Sequence, residues 1–267
     1  MKHTANTKYN VLITGASAGI GKELADIFAA NRHDLVLVAR SEEKLDSLAV
    51  KYAIQYGTKA KVIPLDLAEP EAPDKLFEQL HEEGVQVTAL VNNAGFGNYG
   101  YFKETALQKE LDMIQLNVVA LTHLSKLFLQ QLTPGKSAKI LNVSSTAAFP
   151  PAGPLMAVYY ATKAFVQSFS EALATELQQD NISVTALCPG PTETNFQDEA
   201  NLRGSGLFSK QFIADAQSVA QAGYEGMMAG EVVVIPGIQN KITALTAQLM
   251  PRSFVRNMVK RVQEKRS

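Results

Sequence analysis

The chain has 267 residues, 46% of them hydrophobic and 19% charged, with ordinary glycine and proline counts; collagen-like, mucin-like and disordered classes are excluded. A formal net charge of −1 offers no global basic field to nucleic acid, and a single cysteine rules out a disulfide framework and a cysteine-based zinc site. The histidines His3, His33, His81 and His123 lie far apart and form no HExxH pair, so no metal site is expected.

The N-terminal stretch MKHTANTKYN lacks the apolar core of a signal peptide. No run approaches the roughly 18 apolar residues that span a bilayer, and the expected compartment is the cytoplasm. The first strand is Tyr9 to Ile13, followed by a glycine-rich turn and a helical pattern through Leu24, Ile27 and Phe28. Leu35 to Ala39 is a second strand; such runs, apolar at both parities, suit strands covered on both faces. A helix follows Ser41, then a strand over Ala60 to Leu65, a helix over about 71–83 stopping near Gly84, and a strand from Val87 to Val91. One long helical pattern covers about 104–131, a strand Ala138 to Val143, a helix about 157–179, a strand Ile182 to Leu187, and a last strand Val232 to Ile235. The segment 191–214 breaks the rhythm and reads as a mobile lid containing Gly204, Ser205 and Gly206; residues 238–267 form a partly helical extension. The alternation predicts one doubly wound α/β domain of about seven parallel strands with helices on both faces.

Ligands of such sheets bind beyond the carboxyl ends of the strands. Gly15, Gly19 and Gly21, spaced GxxxGxG, stand where the first strand meets the first helix. There the backbone can approach a pyrophosphate, and the helix N-terminus offers it unpaired N–H groups. The end of the second strand should meet the adenosine ribose. It carries Ala39, Arg40 and Ser41 instead of a carboxylate, which suits a 2′-phosphate and favours NADP(H) over NAD(H).

Tyr159 and Lys163, four residues apart on a helix, share one face. Val158, Phe165, Phe169, Ala172 and Leu173 form another, the expected packing face, which leaves the first free to line a cleft. A tyrosine titrates near pH ~10, and an adjacent ammonium lowers that value towards one fit for proton exchange with an alcohol or ketone oxygen. Ser145 can hydrogen-bond the same oxygen.

These residues carry a resemblance. Thr14-Gly15-Ala16-Ser17-Ala18-Gly19-Ile20-Gly21, Asn92-Asn93-Ala94-Gly95, Asn117, Ser144-Ser145, Tyr159-Tyr160-Ala161-Thr162-Lys163 and Pro189-Gly190 occur in the order found in short-chain dehydrogenases/reductases, over roughly residues 9–195. The chain resembles that family, which implies a Rossmann fold and NADP(H)-linked carbonyl reduction or alcohol oxidation. The resemblance makes Tyr159 the acid/base and has Lys163 lower its pKa and hold the nicotinamide ribose. It has Ser145 orient the substrate oxygen and Asn117 hold a water linking Lys163 to solvent. Gly15, Ser17, Gly19, Ile20, Gly21, Arg40 and Ser41 would bind the phosphates and ribose. Asp66 and Leu67 would flank the adenine, and Asn93, Ala94 and Gly95 would line the cleft. Pro189, Gly190 and Thr192 would close over the nicotinamide, with Thr194 near the phosphates.

Ser145 lies fourteen positions before Tyr159 where the family usually has thirteen, so Thr146 competes for its place; the Val143-Ser144-Ser145 context favours Ser145. Tyr160 also neighbours Lys163, but the family spacing selects Tyr159. The expected substrate loops are apolar: Phe96, Tyr99, Tyr101 and Phe102; Phe149, Leu155 and Met156; Phe196, Leu202, Leu207 and Phe208. They favour a hydrophobic small-molecule carbonyl or alcohol.

Residues 241–267 hold seven Lys/Arg and one Glu, whereas the remainder is acidic. This basic tail is expected to pack on the body or on a second subunit, with attachment to an anionic membrane the less favoured alternative. A homodimer or homotetramer built through helices 104–131 and 157–179 is expected from the family, a dimer first. The rival from another class is a non-enzymatic NADP(H)-binding regulator on the same fold; the presence of Asn117, Ser145, Tyr159 and Lys163 argues against it. An epimerase or dehydratase using the same tyrosine is a minor third.

Overall fold

A computed structural model describes residues 8–194, 196–200 and 213–264. Seven strands form one parallel sheet: β1 (Asn10–Thr14), β2 (Asp34–Ala39), β3 (Ala60–Pro64), β4 (Ala89–Asn92), β5 (Ala138–Val143), β6 (Ile182–Leu187) and β7 (Val233–Val234). Their spatial order is β3-β2-β1-β4-β5-β6-β7, so the chain reverses its direction of winding between β1 and β4. Ile13 stands between Leu37 of β2 and Val91 of β4 in register.

The helices are α1 (Gly19–Ala30), α2 (Glu42–Tyr56), α3 (Ala72–Glu82), α4 (Leu107–Ile114), α5 (Leu121–Gln131), α6 (Ala157–Glu176), α7 (Phe196–Glu199), α8 (Ala216–Ala229), α9 (Ile238–Leu249) and α10 (Arg252–Glu264). Period-two geometry sends alternate strand residues to opposite faces. Val11, Ile13, Leu35 and Leu37 therefore join Leu24, Phe28, Tyr52, Val219 and Met227 in the layer under α1, α2 and α8. Leu12, Val36 and Val38 join Leu76, Leu80, Leu124 and Phe128 in the layer under α3 and α5. The apolar runs at both parities are thus explained by two cores back to back.

Three sequence expectations need correction, and a fourth lies partly outside the described residues. The helix at 104–131 is not continuous: six residues, Gln115–Ala120, form a π-turn between α4 and α5. α8 was not foreseen, although Asp215 caps it, accepting from the Ser218 N–H at 2.7 Å, and Gly230 ends it in the left-handed conformation. Gly223 and Gly226, inside the helix, weaken its helical signal. The packing face of α6 was assigned to the wrong side: Phe165 is 40% exposed and stacks on Phe169, while Thr162, Lys163, Val166, Gln167 and Ser170 face the sheet. Polar partners make that burial tolerable, because Ser170 Oγ accepts from Asn142 at 2.9 Å and Gln167 Oε1 accepts from the Cys188 thiol at 2.8 Å. Finally, the 191–214 segment lies partly outside the described residues, including Gly204, Ser205, Gly206, Leu202, Leu207 and Phe208. What is described shows α7 and a parallel bridge between Thr192 and Ala214.

The extension is helical where it is described, as expected. α9 buries Ala244 and Ala247, and α10 buries Val255 and Gln263.

Candidate active site

At the carboxyl end of β1, the backbone turns through Gly15 (φ 65°) and Gly19 (φ 54°), a region that favours glycine. A Cβ on Gly15 would stand 2.7 Å from Asn93 Nδ2, and one on Gly21 would overlap the Gly15 carbonyl. Asn93 holds this approach, donating to the Thr14 and Gly15 carbonyls at 2.9 and 3.2 Å. Thr14 Oγ1 in turn accepts from the Asn93 and Ala94 N–H groups at 2.9 and 3.0 Å. The Thr14 hydroxyl, absent from the sequence expectations for the site, thus ties the first glycine turn to the end of β4.

The N-terminus of α1 has no side-chain cap and no acidic residue in its first turn. Its N–H groups are therefore left to an anion. Ser17 is half-buried in this turn, Ile20 leans on the core, and the Thr194 methyl faces Gly19. The bare glycine cradle at the point where the sheet reverses fits a dinucleotide pyrophosphate.

Further along the edge, Arg40 is exposed, with Nη1 4.0 Å from Asp66 Oδ2, beside the half-buried Ser41. Asp66 Oδ1 accepts from the Ala68 N–H at 3.0 Å. The Leu67 side chain is buried in the core under α3, so only its backbone is left for a ligand.

The expected catalytic side chains converge beyond β4, β5 and β6. Lys163 is buried on α6; its Nζ donates to the Val143 carbonyl at 2.8 Å and lies 5.9 Å from the centre of the Tyr159 ring. The Ser145 side chain lies beside the Tyr159 phenol and favours its ionised form. Ser145 Oγ also accepts from the Ala147 N–H at 3.1 Å, opening a short 3₁₀ turn over Thr146–Ala148. Thr146 is the first residue of that turn. Tyr160 points elsewhere, its ring edge-on to Tyr159 and its hydroxyl accepting from Gln263 Nε2 at 2.9 Å.

Asn117 sits in the π-turn, where its Oδ1 accepts from the Phe96 N–H at 3.1 Å and its Nδ2 donates to the Phe96 carbonyl at 2.9 Å. It thereby clamps the loop after Gly95. A Cβ on Gly95 would stand 2.8 Å from Asn117 Oδ1 and 3.7 Å from Lys163 Nζ, so this bare residue keeps space open at the lysine. Opposite, Pro189 and Gly190 follow β6; the Gly190 carbonyl accepts from Thr192 Oγ1 at 2.9 Å, and Asn240 of α9 packs against Gly190.

Burial governs the electrostatics here. It pushes the Tyr159 phenol up to about 12, against the lowering effect of the neighbouring Ser145. Burial also lowers Lys163 to about 8. The expectation that Lys163 draws Tyr159 below its ordinary value is not met, because burial prevails. The ammonium donates to the Val143 carbonyl at 2.8 Å, with its charge 5.9 Å from the ring centre.

Tyr99, Met156, Tyr159, Tyr160, Phe196 and Ala200 make an apolar wall beside the phenol. Tyr101 and Phe102, expected in that wall, are more than half exposed, and Phe102 instead borders an outer groove between α4 and α6. Gln263 was not foreseen. It is fully buried, its backbone carbonyl accepts from the Tyr99 hydroxyl at 2.8 Å, and its Oε1 has no partner among the described residues. A tail glutamine 103 positions from Tyr160 gives no local sequence signal.

A parallel sheet that reverses beside a glycine cradle, with a serine, tyrosine and lysine gathered past its carboxyl edge, defines a dinucleotide-dependent oxidoreductase architecture. The chain belongs to the short chain dehydrogenase family, whose profile matches residues 9–203. It is 37% identical over 177 residues to a very-long-chain 3-oxoacyl-CoA reductase of Phaeosphaeria nodorum, covering 65% of this chain and 52% of that protein. The match thus spans about half the length of that relative. It is 30% identical over 236 residues to 17-beta-hydroxysteroid dehydrogenase type 3 of Mus musculus, covering 86% of this chain and 75% of that one. Among solved structures, a short-chain dehydrogenase from Sphingobium yanoikuyae in complex with NADPH superposes with a TM-score of 0.78 at 30% identity, over 97% of this chain and 98% of that one.

Proposed function

We propose that this protein is an NADP(H)-dependent reductase of an apolar ketone, able to run the reverse oxidation of a secondary alcohol. The observation that carries the proposal is the convergence of Tyr159, Ser145 and Lys163 at the mouth of the glycine-lined crevice.

Bound NADPH would supply a hydride to the carbonyl carbon. The cradle of Gly15, Gly19 and Gly21, with Asn93, would hold its pyrophosphate, and Gly95, Pro189, Gly190 and Thr192 would border its nicotinamide. Arg40 and Ser41 would receive the 2′-phosphate. The protein's own chemistry is proton transfer. Tyr159, kept protonated by burial, donates its proton to the carbonyl oxygen, while Ser145 hydrogen-bonds the same oxygen. Lys163 stabilises the phenolate that results. Asn117 fixes the segment carrying Gly95 and Phe96, and so the width of the crevice.

The wall of Tyr99, Met156 and Phe196 supports an apolar substrate. The relatives named as reductases of very-long-chain 3-oxoacyl-CoA and as a hydroxysteroid dehydrogenase are consistent with that class. The proposed compartment is the cytoplasm, supported by the free, buried Cys188. A homodimer is proposed through the apolar face shared by α4 and α6, where a groove of about 460 Å³ is lined by Phe102, Ile114, Val118 and Val158.

The test is turnover of a panel of bulky ketones with NADPH, followed at the nicotinamide absorbance. Tyr159→Phe is expected to lower kcat by about 10²–10⁴-fold while NADPH affinity stays within about twofold. Undiminished turnover in that variant refutes the assignment; tight NADPH binding with no turnover of any substrate favours the regulator.

A further inference from the structure

The extension buries too little of its apolar surface to be explained by packing on the body alone. On α9, Ile238, Ile242, Leu245 and Leu249 fall within about 60° of one another around the helix, and their exposures run from 56% to 85%. The residues that α9 turns inward, Ala244 and Ala247, are small and lie on the opposite side. On α10, Phe254, Met258 and Val262 repeat every four residues and are 53%, 42% and 41% exposed. Solvated helices do not normally carry two successive stripes of this kind.

The charges that α9 and α10 carry are nearly all of one sign. Lys241, Arg252, Arg256, Lys260 and Arg261 are all exposed, and the sole carboxylate among the described residues of α9 and α10 is Glu264, which Lys260 pairs at 3.7 Å. A second copy of this face, related by a two-fold axis, would bring arginines against arginines. A bilayer with anionic headgroups satisfies both halves of the pattern at once: the stripes enter the acyl boundary, and the cations stay at the phosphate level.

We propose that α9 and α10 form a docking surface for an anionic lipid bilayer and bind it peripherally. The surface stands over the catalytic crevice, because Asn240 packs on Gly190 and Gln263 is wedged between Tyr99 and Tyr160. Docking brings that crevice to the lipid interface whatever the substrate is, so the proposal does not rest on the reaction assigned above.

The experiment is co-sedimentation of the full chain with phosphatidylcholine vesicles, with and without about 30% phosphatidylglycerol. Binding is expected to the anionic vesicles, to be at least about tenfold weaker on the neutral ones, and to fall in about 0.5 M salt. The double variants Arg252→Glu/Arg256→Glu and Leu249→Ser/Phe254→Ser are each expected to lose about tenfold or more in vesicle affinity. Every substituted side chain is exposed, and an unchanged melting temperature and NADPH affinity establish that the variants fold. Equal, background-level sedimentation with both vesicle types overturns the proposal. So does a concentration-dependent self-association, seen by sedimentation velocity, that the Leu249→Ser/Phe254→Ser variant abolishes while vesicles remain unbound; a second copy would then be the occupant.

Discussion

Lys163 illustrates how a single side chain is held at a cost to the fold. Its ammonium is buried with one backbone carbonyl for company, and its pKa falls to about 8 from 10.5. The unfolded chain therefore binds this proton more tightly than the folded one. The penalty is complete below pH 8, amounts to roughly 3 kcal/mol, and is relieved as pH rises from 8 towards 10.5. Lys163→Met is expected to raise the melting temperature of the ligand-free protein at pH 7 while turnover is lost. A lower melting temperature would mean that the bond to Val143 outweighs desolvation. In the intact enzyme, kcat/KM for reduction should decline above about pH 8, as Lys163 loses its charge. Arg40, by contrast, is exposed and its guanidinium stands 4.0 Å from the Asp66 carboxylate. Arg40→Ala should weaken NADPH binding by about 10–100-fold and leave NADH binding nearly unchanged, as titration calorimetry would show; equal losses would remove the basis for the cofactor preference.

At the scale of elements, the strands and the glycine turn were legible because their signals are local. Apolar runs at both parities have few other meanings, and glycines between a strand and a helix have a direct steric purpose. α6 was legible as a helix but not in its orientation. Its sheet-facing side is built from Thr162, Lys163, Gln167 and Ser170, and a hydrophobic period cannot find a face whose burial rests on hydrogen bonds with Asn142 and Cys188. Ser145 was placed by its neighbours in sequence, whereas Gln263 depends on a tertiary contact with Tyr160.

The connection from α1 to β2 carries another group of this kind. His33 is 1% exposed, its Nδ1 accepts from the Tyr9 N–H at 3.0 Å, and burial lowers its pKa below 6.5. The unfolded state takes up the proton first, so stability present above pH 6.5 is lost as pH falls towards the depressed value. Denaturant titrations should show stability declining from pH 7 to 5, with a shallower decline in His33→Gln, which retains an acceptor.

For the molecule as a whole, the outer face formed by α4 and α6 is the candidate subunit contact. Leu107, Leu111, Ile114 and Phe165 are exposed there around the groove. Ile114→Glu would put a charge into such a contact and is expected to convert a dimer to a monomer in light scattering. A variant that stays dimeric would move the contact elsewhere.

The bridge that joins Thr192 to Ala214 has a bearing on how such an enzyme diversifies. Glu193 N–H donates to the Ala214 carbonyl at 2.8 Å, and Ala214 N–H donates to Pro191 at 2.9 Å. Both ends of the intervening chain are thereby stapled to one spot beside the crevice. Closing a longer insert between ends already clasped adds little entropy. Changes of length between the clasped ends are therefore expected to leave the sheet, the glycine cradle and the proton donor where they stand.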